Sequence, residues 1–514
     1  MELDEPLHPA ARRRKRRNDA LRGAAAALAL SLPVAAALGQ SAAPAGSETV
    51  EQRLQRLEQR QAELESELKQ KDAEIQELKK PAAAPAAPAV AAAPATPAPA
   101  PTTQAASGPT DVAESSAEQW GSYKGFQGFK IANTDKGDLN LAIYSYVRYL
   151  NQMDLDPTYT NAFTKTSTVQ RRQEVQIVKV QIKFLGWLFD EKFRYFLYAW
   201  SSNATQGQGA QVVLAGNLSY TINDYLTVAG GITSLPGVRT TEGNFPFWLN
   251  VDNRLMADEF FRPSYTSGFW IRGNLSPTLR YQAMVGNNLS TLGVSSAQLD
   301  NRLNTVAAGL IWTPTTGEFG RGFGDFENHE ELATRLGLHY THSTETKQSQ
   351  PNTDNFENTQ IRLSDGSVIF TPDLFGPGVT VDQVRYQMMS LDGGLKYRGA
   401  ALEGEWYWRK LDQFQGAGTG VIANKRDTGF QLQGSYMIIP STFQVYAAGS
   451  KIYGQYGQPW DVRAGVNWHP WHNRVFRWNA QVMYLDRSPV GYTSLTYNIG
   501  SKGVVFNTDF EMAF

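Results

Sequence analysis

The chain has 514 residues, 41% of them hydrophobic and 19% charged, with a net charge of −1 and no cysteine. That length exceeds one ordinary domain of about 100 to 200 residues, and the missing cysteines exclude disulfides and thiolate metal sites. The balanced charge offers no footprint for nucleic acid, and the lack of any uninterrupted run of about 18 apolar residues beyond the N-terminal region excludes a helical membrane protein.

The first element is a leader. Arg12, Arg13, Arg14, Lys15, Arg16 and Arg17 precede an apolar stretch from Leu21 to Leu38, and small residues follow around Gly39. This order predicts a secretory signal peptide over 1–39. A basic nucleic-acid-binding arm would have no use for the apolar stretch. Next, Val50, Leu54, Leu57, Gln61, Leu64, Leu68, Lys71, Ile75 and Leu78 alternate four and three residues apart, the seam of a coiled coil over 48–80. Gln61 and Lys71 interrupt the seam, which costs stability but can fix register and strand number. Residues 81–119 are rich in Ala and Pro. They cannot bury a core and predict an extended spacer.

From Trp120 the pattern changes to alternating segments of about ten residues between turn clusters, the signature of a transmembrane β-barrel over 120–514. The C-terminal segment shows it best: Val504, Phe506, Thr508, Phe510, Met512 and Phe514 share one face, and Asn507, Asp509 and Glu511 share the other. This arrangement, with Phe506, Phe510, Met512 and a terminal Phe514, resembles the sorting signal of bacterial outer-membrane barrels. The resemblance implies recognition by the barrel-assembly machinery. The same alternation predicts sixteen antiparallel strands: 139–150, 172–187, 193–201, 211–222, 225–235, 268–275, 279–288, 304–313, 332–342, 385–397, 401–411, 427–439, 443–452, 460–468, 475–486 and 503–514. Short turns alternate with longer loops, and an even count leaves both barrel ends on the periplasmic side.

Alternation also assigns the faces. Val178, Val180, Ile182 and Phe184 are expected toward lipid, with Lys179, Gln181 and Lys183 toward the lumen. Phe476, Trp478, Ala480, Val482 and Tyr484 alternate likewise with Arg477, Asn479 and Gln481. Sixteen strands leave an aqueous lumen. Arg148, Lys179, Lys183, Arg194, Arg272 and Arg280, all within the first seven strands, would line one wall with positive charge. The third external loop, Pro236 to Ser267, carries Arg239, Arg254 and Arg262 with Glu242, Asp252, Asp258 and Glu259. A charged wall facing a charged loop would create a transverse field that filters solutes.

This loop resembles, in order and length, the third loop of trimeric porins, which folds inward and narrows the barrel. From Gly231 to Asn288, a strand, a Pro-Gly, a charged loop ending at Phe261-Arg262-Pro263, then Gly268-Phe269-Trp270-Ile271-Arg272 and a further strand together resemble the phosphate-selective porins O and P. The resemblance implies a homotrimeric outer-membrane channel in a Gram-negative envelope, with the coil in the periplasm and a preference for anions or phosphate. The acidic residues of the loop depart from that pattern.

Other constellations carry less. His469 with His472, and His339 with His342, lack a third ligand for a metal. Glu403 and Glu405 share a lumen face with no nucleophile or oxyanion partner and are expected as pore lining. No phosphate-binding glycine loop and no serine elbow occurs, so neither enzyme nor cofactor is expected. The reading is therefore a passive channel for small hydrophilic solutes. The competing one is a structural tether joining the outer membrane to the cell wall through the coil.

Overall fold

The computed structural model describes residues 121–202, 211–243, 245–292, 294–295, 297–299, 302–351, 360–491 and 495–514. The expected leader over 1–39, coil over 48–80 and linker over 81–119 lie outside the described residues. Among the described residues no helix is long and apolar enough to cross a membrane.

Sixteen antiparallel strands form the wall: β1 (Gly137–Asn151), β2 (Gln173–Leu188), β3 (Asp190–Ser202), β4 (Gln211–Asn223), β5 (Leu226–Ser234), β6 (Tyr265–Ser276), β7 (Leu279–Gly286), β8 (Thr305–Trp312), β9 (Ala333–Thr346), β10 (Gln383–Tyr397), β11 (Ala400–Gln415), β12 (Lys425–Ile439), β13 (Phe443–Tyr453), β14 (Trp460–Trp468), β15 (Phe476–Asp486) and β16 (Gly503–Ala513). Each pairs with its sequence neighbours, and β16 returns to β1 through Phe510↔Val147 and Met512↔Ser145. Closure leaves no exposed sheet edge in the wall. A preceding arm, Gly128–Thr134, pairs with the opening residues of β1 on the edge that β16 uses further along. All sixteen expected strands are present. β9 extends to Thr346 rather than stopping at His342, so the loop after it is shorter than the sequence suggested.

Alternation sorts the two faces as a barrel in lipid requires. Leu214, Leu218, Phe269, Leu310, Leu338, Leu391, Leu402, Leu432, Val482 and Phe510 are exposed outward, while Arg148, Lys179, Arg335, Arg409, Asp427, Arg463, Arg477 and Asp509 are buried inside. A closed wall wearing an apolar belt is stable in a bilayer, where every backbone group must be satisfied within the protein. Val178 corrects the expected assignment. A bulge skips it where Tyr146 pairs with Lys179 and Val147 with Ile177, so Val178 turns inward and is buried with Tyr144, Tyr146 and Val251. An extra residue of this kind shifts the alternation by one.

One end of the barrel has tight turns, such as Phe189 between β2 and β3 and Arg398 with Gly399 between β10 and β11. The exception is the segment 313–332, which folds back against the third loop. Gly322 makes that approach possible: it sits at φ +70°, and a Cβ there would lie 2.1 Å from the Phe247 carbonyl oxygen. At the other end the long loops meet over the lumen. Leu155, Ile361, Leu363, Ile369, Phe370, Val490, Leu495 and Tyr497 form one apolar cluster with side chains of the third loop.

Candidate functional site

The third loop, residues 235–264, runs inside the barrel and is bonded to the wall along most of its length. Leu235 and Val238 are fully buried at its start, followed by a 3-10 turn at Arg239–Thr241 and a short helix α1 (Met256–Phe261). The first backbone N–H groups of a helix have no partner within it, and α1 has no side-chain cap. The wall supplies partners instead. Met256 N–H donates to Asp461 on β14 at 3.3 Å and Ala257 N–H to Ser450 on β13 at 2.9 Å. The helix ends with Phe261 stacked on Tyr407 at 5.0 Å and 10°. The Tyr386 hydroxyl donates to the Phe261 carbonyl at 2.7 Å.

The charged residues expected to line a constriction are brought together here, but mostly as pairs. Arg239 Nε donates to Glu403 at 3.1 Å, and its backbone N–H donates to Glu405 at 3.1 Å. Glu242 receives Arg335 Nη2 at 2.5 Å, and Asp392 receives Arg335 Nε at 2.7 Å and His339 Nε2 at 2.9 Å. Asp252 is held by Lys179 Nζ at 2.8 Å and by the Tyr146 hydroxyl at 2.8 Å. Arg254 lies 3.5 Å from Asp258 and 3.6 Å from Glu259, and Glu259 also takes Arg262 at 2.5 Å. Arg148 bridges Asp509 at 2.6 Å and the Val251 carbonyl at 2.7 Å. Removing one member of such a pair strands a buried charge at a cost of roughly 3–5 kcal/mol. These ten residues fasten the loop: Arg148, Lys179, Arg239, Arg254, Arg262, Glu242, Asp252, Asp258, Glu259 and their wall partner Glu403.

The loop's bonds reach β1, β2 and the arc from β9 to β15. Its backbone carbonyls at Trp248, Leu249 and Arg254 accept from Arg477, Asn467 and Arg463. Inward residues on this arc, including Arg409, Asp427, Asp461 and Asn479, are buried. The opposite arc differs. Asn217, Ser219, Arg272, Asn274, Arg280 and Gln282, facing inward on β4, β6 and β7, are only half-buried. The loop thus lies against one side of the lumen and leaves these six positions of the other side more open, while Trp270 and Met284 on β6 and β7 are buried.

That wetter arc carries the remaining expected cations, Lys183, Arg194, Arg272 and Arg280. Lys183, Arg272 and Arg280 have no ion pair or hydrogen bond among the described residues, and the Nε atoms of Arg272 and Arg280 are buried without a partner. A small cavity of about 20 Å³ lies beside the loop among Trp248, Arg254, Phe323, Tyr446 and Arg463, room for roughly one water.

The histidines fall elsewhere. His339 points inward and His342 outward on β9, so they share no metal. Glu242, His339 and Asp392 do bring three ligand atoms within 4.8 Å of one another, but Arg335 bridges both carboxylates and supplies the balancing charge. His472 Nδ1 meets the Thr442 hydroxyl at 2.6 Å, and His469 packs on Phe326. Burial and the nearby Arg477 and Arg474 push the His469 imidazole down to about 3. Sequence reasoning placed Arg477 in the lumen but missed the loop's other wall partners Arg335, Asp392, Asp461 and Arg463. Their signal was available in the period-two alternation, which puts Arg335, Asp392, Asp461 and Arg463 on the inward face of β9, β10 and β14.

No protein-family model and no curated protein matches the chain. Among solved structures, it is similar to an anion-selective porin from Comamonas acidovorans, with TM-score 0.46 and 10% identity over 74% of this chain and 100% of that one. It is also similar to the outer membrane channel DcaP of Acinetobacter baumannii, with TM-score 0.47 and 9% identity over 75% and 99%. OmpT of Vibrio cholerae gives TM-score 0.47 and 8% identity over 74% and 99%. Likeness at this level assigns no family and no solute.

Proposed function

We propose that the protein is an outer-membrane porin, a passive channel for small hydrophilic solutes with a preference for anions, phosphate included. The observation that carries this reading is the division of charge inside the barrel. The third loop's charges are matched within the loop, by Lys179 on β2 and by Glu403 and Arg335 on the arc from β9 to β15, whereas Lys183, Arg272 and Arg280 have no ion pair among the described residues. Unmatched cations beside a water-filled path lower the energy of an anion there and raise that of a cation. The passage is therefore eccentric, running along β2 to β8 past those three side chains and Arg194. Passive diffusion requires only that binding be weak enough for release, and half-buried guanidinium groups in water meet that condition. Liposomes carrying the full chain test the channel itself. In iso-osmotic small sugars they should swell at rates that fall as solute size rises, and swelling no faster than in protein-free liposomes would overturn the reading.

A further inference from the structure

The inner face of a water-filled barrel should be polar, yet one strip of this lumen is not. Where β2 pairs with β3, three register rows face inward in succession: Lys183 beside Tyr198, Leu185 beside Phe196, and Trp187 beside Arg194. Their outward neighbours Phe184 and Leu197 are exposed to the lipid side. Leu185, Trp187 and Phe196 stay half-buried on the arc the third loop leaves open. Past them the aromatic stack becomes buried, with Phe196 and Tyr198 rings 5.2 Å apart, Tyr198 and Trp200 rings 5.8 Å apart, and Leu292 packed with Tyr198 and Trp200. Lys183 lies 6.0 Å from the Tyr144 ring and has no ion pair or hydrogen bond among the described residues.

We infer that this strip is a binding site for small organic anions that carry a planar apolar ring, aromatic carboxylates being the simplest members. The ring would lie on the half-buried Leu185 and Phe196, and the carboxylate would reach the Lys183 ammonium. Four residues of strand separate the Lys183 row from the Trp187 row, about 13 Å, enough for one ring with its charged substituent. An ammonium with no carboxylate partner among the described residues supplies the charge that selects an anion over a neutral ring. A purely structural patch would have no need of an unpaired cation at its edge. The inference depends on the channel reading only for how the solute arrives.

Calorimetric titration of benzoate into the full detergent-solubilised protein tests it, with conductance of the same preparation measured in parallel. Benzoate should bind at least tenfold more tightly than acetate or benzyl alcohol. Lys183→Met should weaken it about tenfold and Phe196→Ala several-fold, while outward-facing Leu197→Ala should leave it unchanged. Equal affinity for acetate and benzoate, glucose binding as tight as benzoate, or wild-type benzoate affinity in both Lys183→Met and Phe196→Ala would overturn the site. Benzoate binding without conductance steps would support the strip while removing the channel. Conductance without benzoate heat would remove the strip alone.

Discussion

His329 shows how one residue ties a connection to the barrel mouth. Its ring lies between Asp325, bonded to Nδ1, and Glu318, 2.9 Å from Nε2. The hydrogen bonds to Asp325 and then Glu318 raise the imidazole to about 9, and His329 in turn helps hold both carboxyls below their usual range, against burial. The histidine's contribution is complete below its unfolded value of about 6.5 and fades as pH rises through about 9. That of the carboxylates is present above about 4 and fades as pH falls through their lowered values. The clamp is therefore strongest between about pH 4 and 6.5 and weakens progressively from there to about pH 9. A histidine NMR titration should place the His329 midpoint near 9, and the protection factors of amides around residues 318–329, after correction for the intrinsic base-catalysed rate, should fall at pH 10 relative to pH 7. A midpoint near 6.5 with no change in exchange would contradict the clamp.

At the scale of elements, the inward loop depends on its aromatic anchor as much as on its charges. Phe261 fills the space over Tyr407 that Gly429 leaves open, where a Cβ would lie 2.5 Å from the Phe261 ring. Phe261→Ala should cost about 3 kcal/mol of docking, raising the open-loop population on the order of a hundredfold. Trypsin should then cut at Arg254, buried in the wild type, and open-channel current should become noisier. An unchanged digestion pattern would show that the ion pairs hold the loop alone. The strands were legible because period-two alternation persists in segments of about ten residues, as in Phe476 to Tyr484. The Val178 bulge was not, since one extra residue leaves composition untouched. Nor were the partners of Glu242 or Asp252: Arg335 and Lys179 are distant in sequence and meet the loop only after the wall has closed. The inward fold of 313–332 was equally hidden, because it rests on Gly322 packing against Phe247 rather than on any local pattern.

For the whole molecule, the expected coil over 48–80 and the barrel make separate predictions. With only about four heptads and two polar seam positions, a peptide spanning 48–80 should be weakly helical at micromolar concentration. Gln61→Ile should raise its melting temperature and loosen its choice of strand number, and a lower melting temperature in circular dichroism would refute the seam register. The barrel carries the central claim, that ions pass along an arc on which Lys183, Arg272 and Arg280 have no ion pair among the described residues. The most direct measurement is the reversal potential of the full chain in a planar bilayer under a tenfold KCl gradient. The sign should be that of chloride permeating faster than potassium, and Arg272→Gln with Arg280→Gln should bring it at least halfway to zero. A cation-selective potential, or an anion-selective one that the double substitution leaves unmoved, would contradict the account.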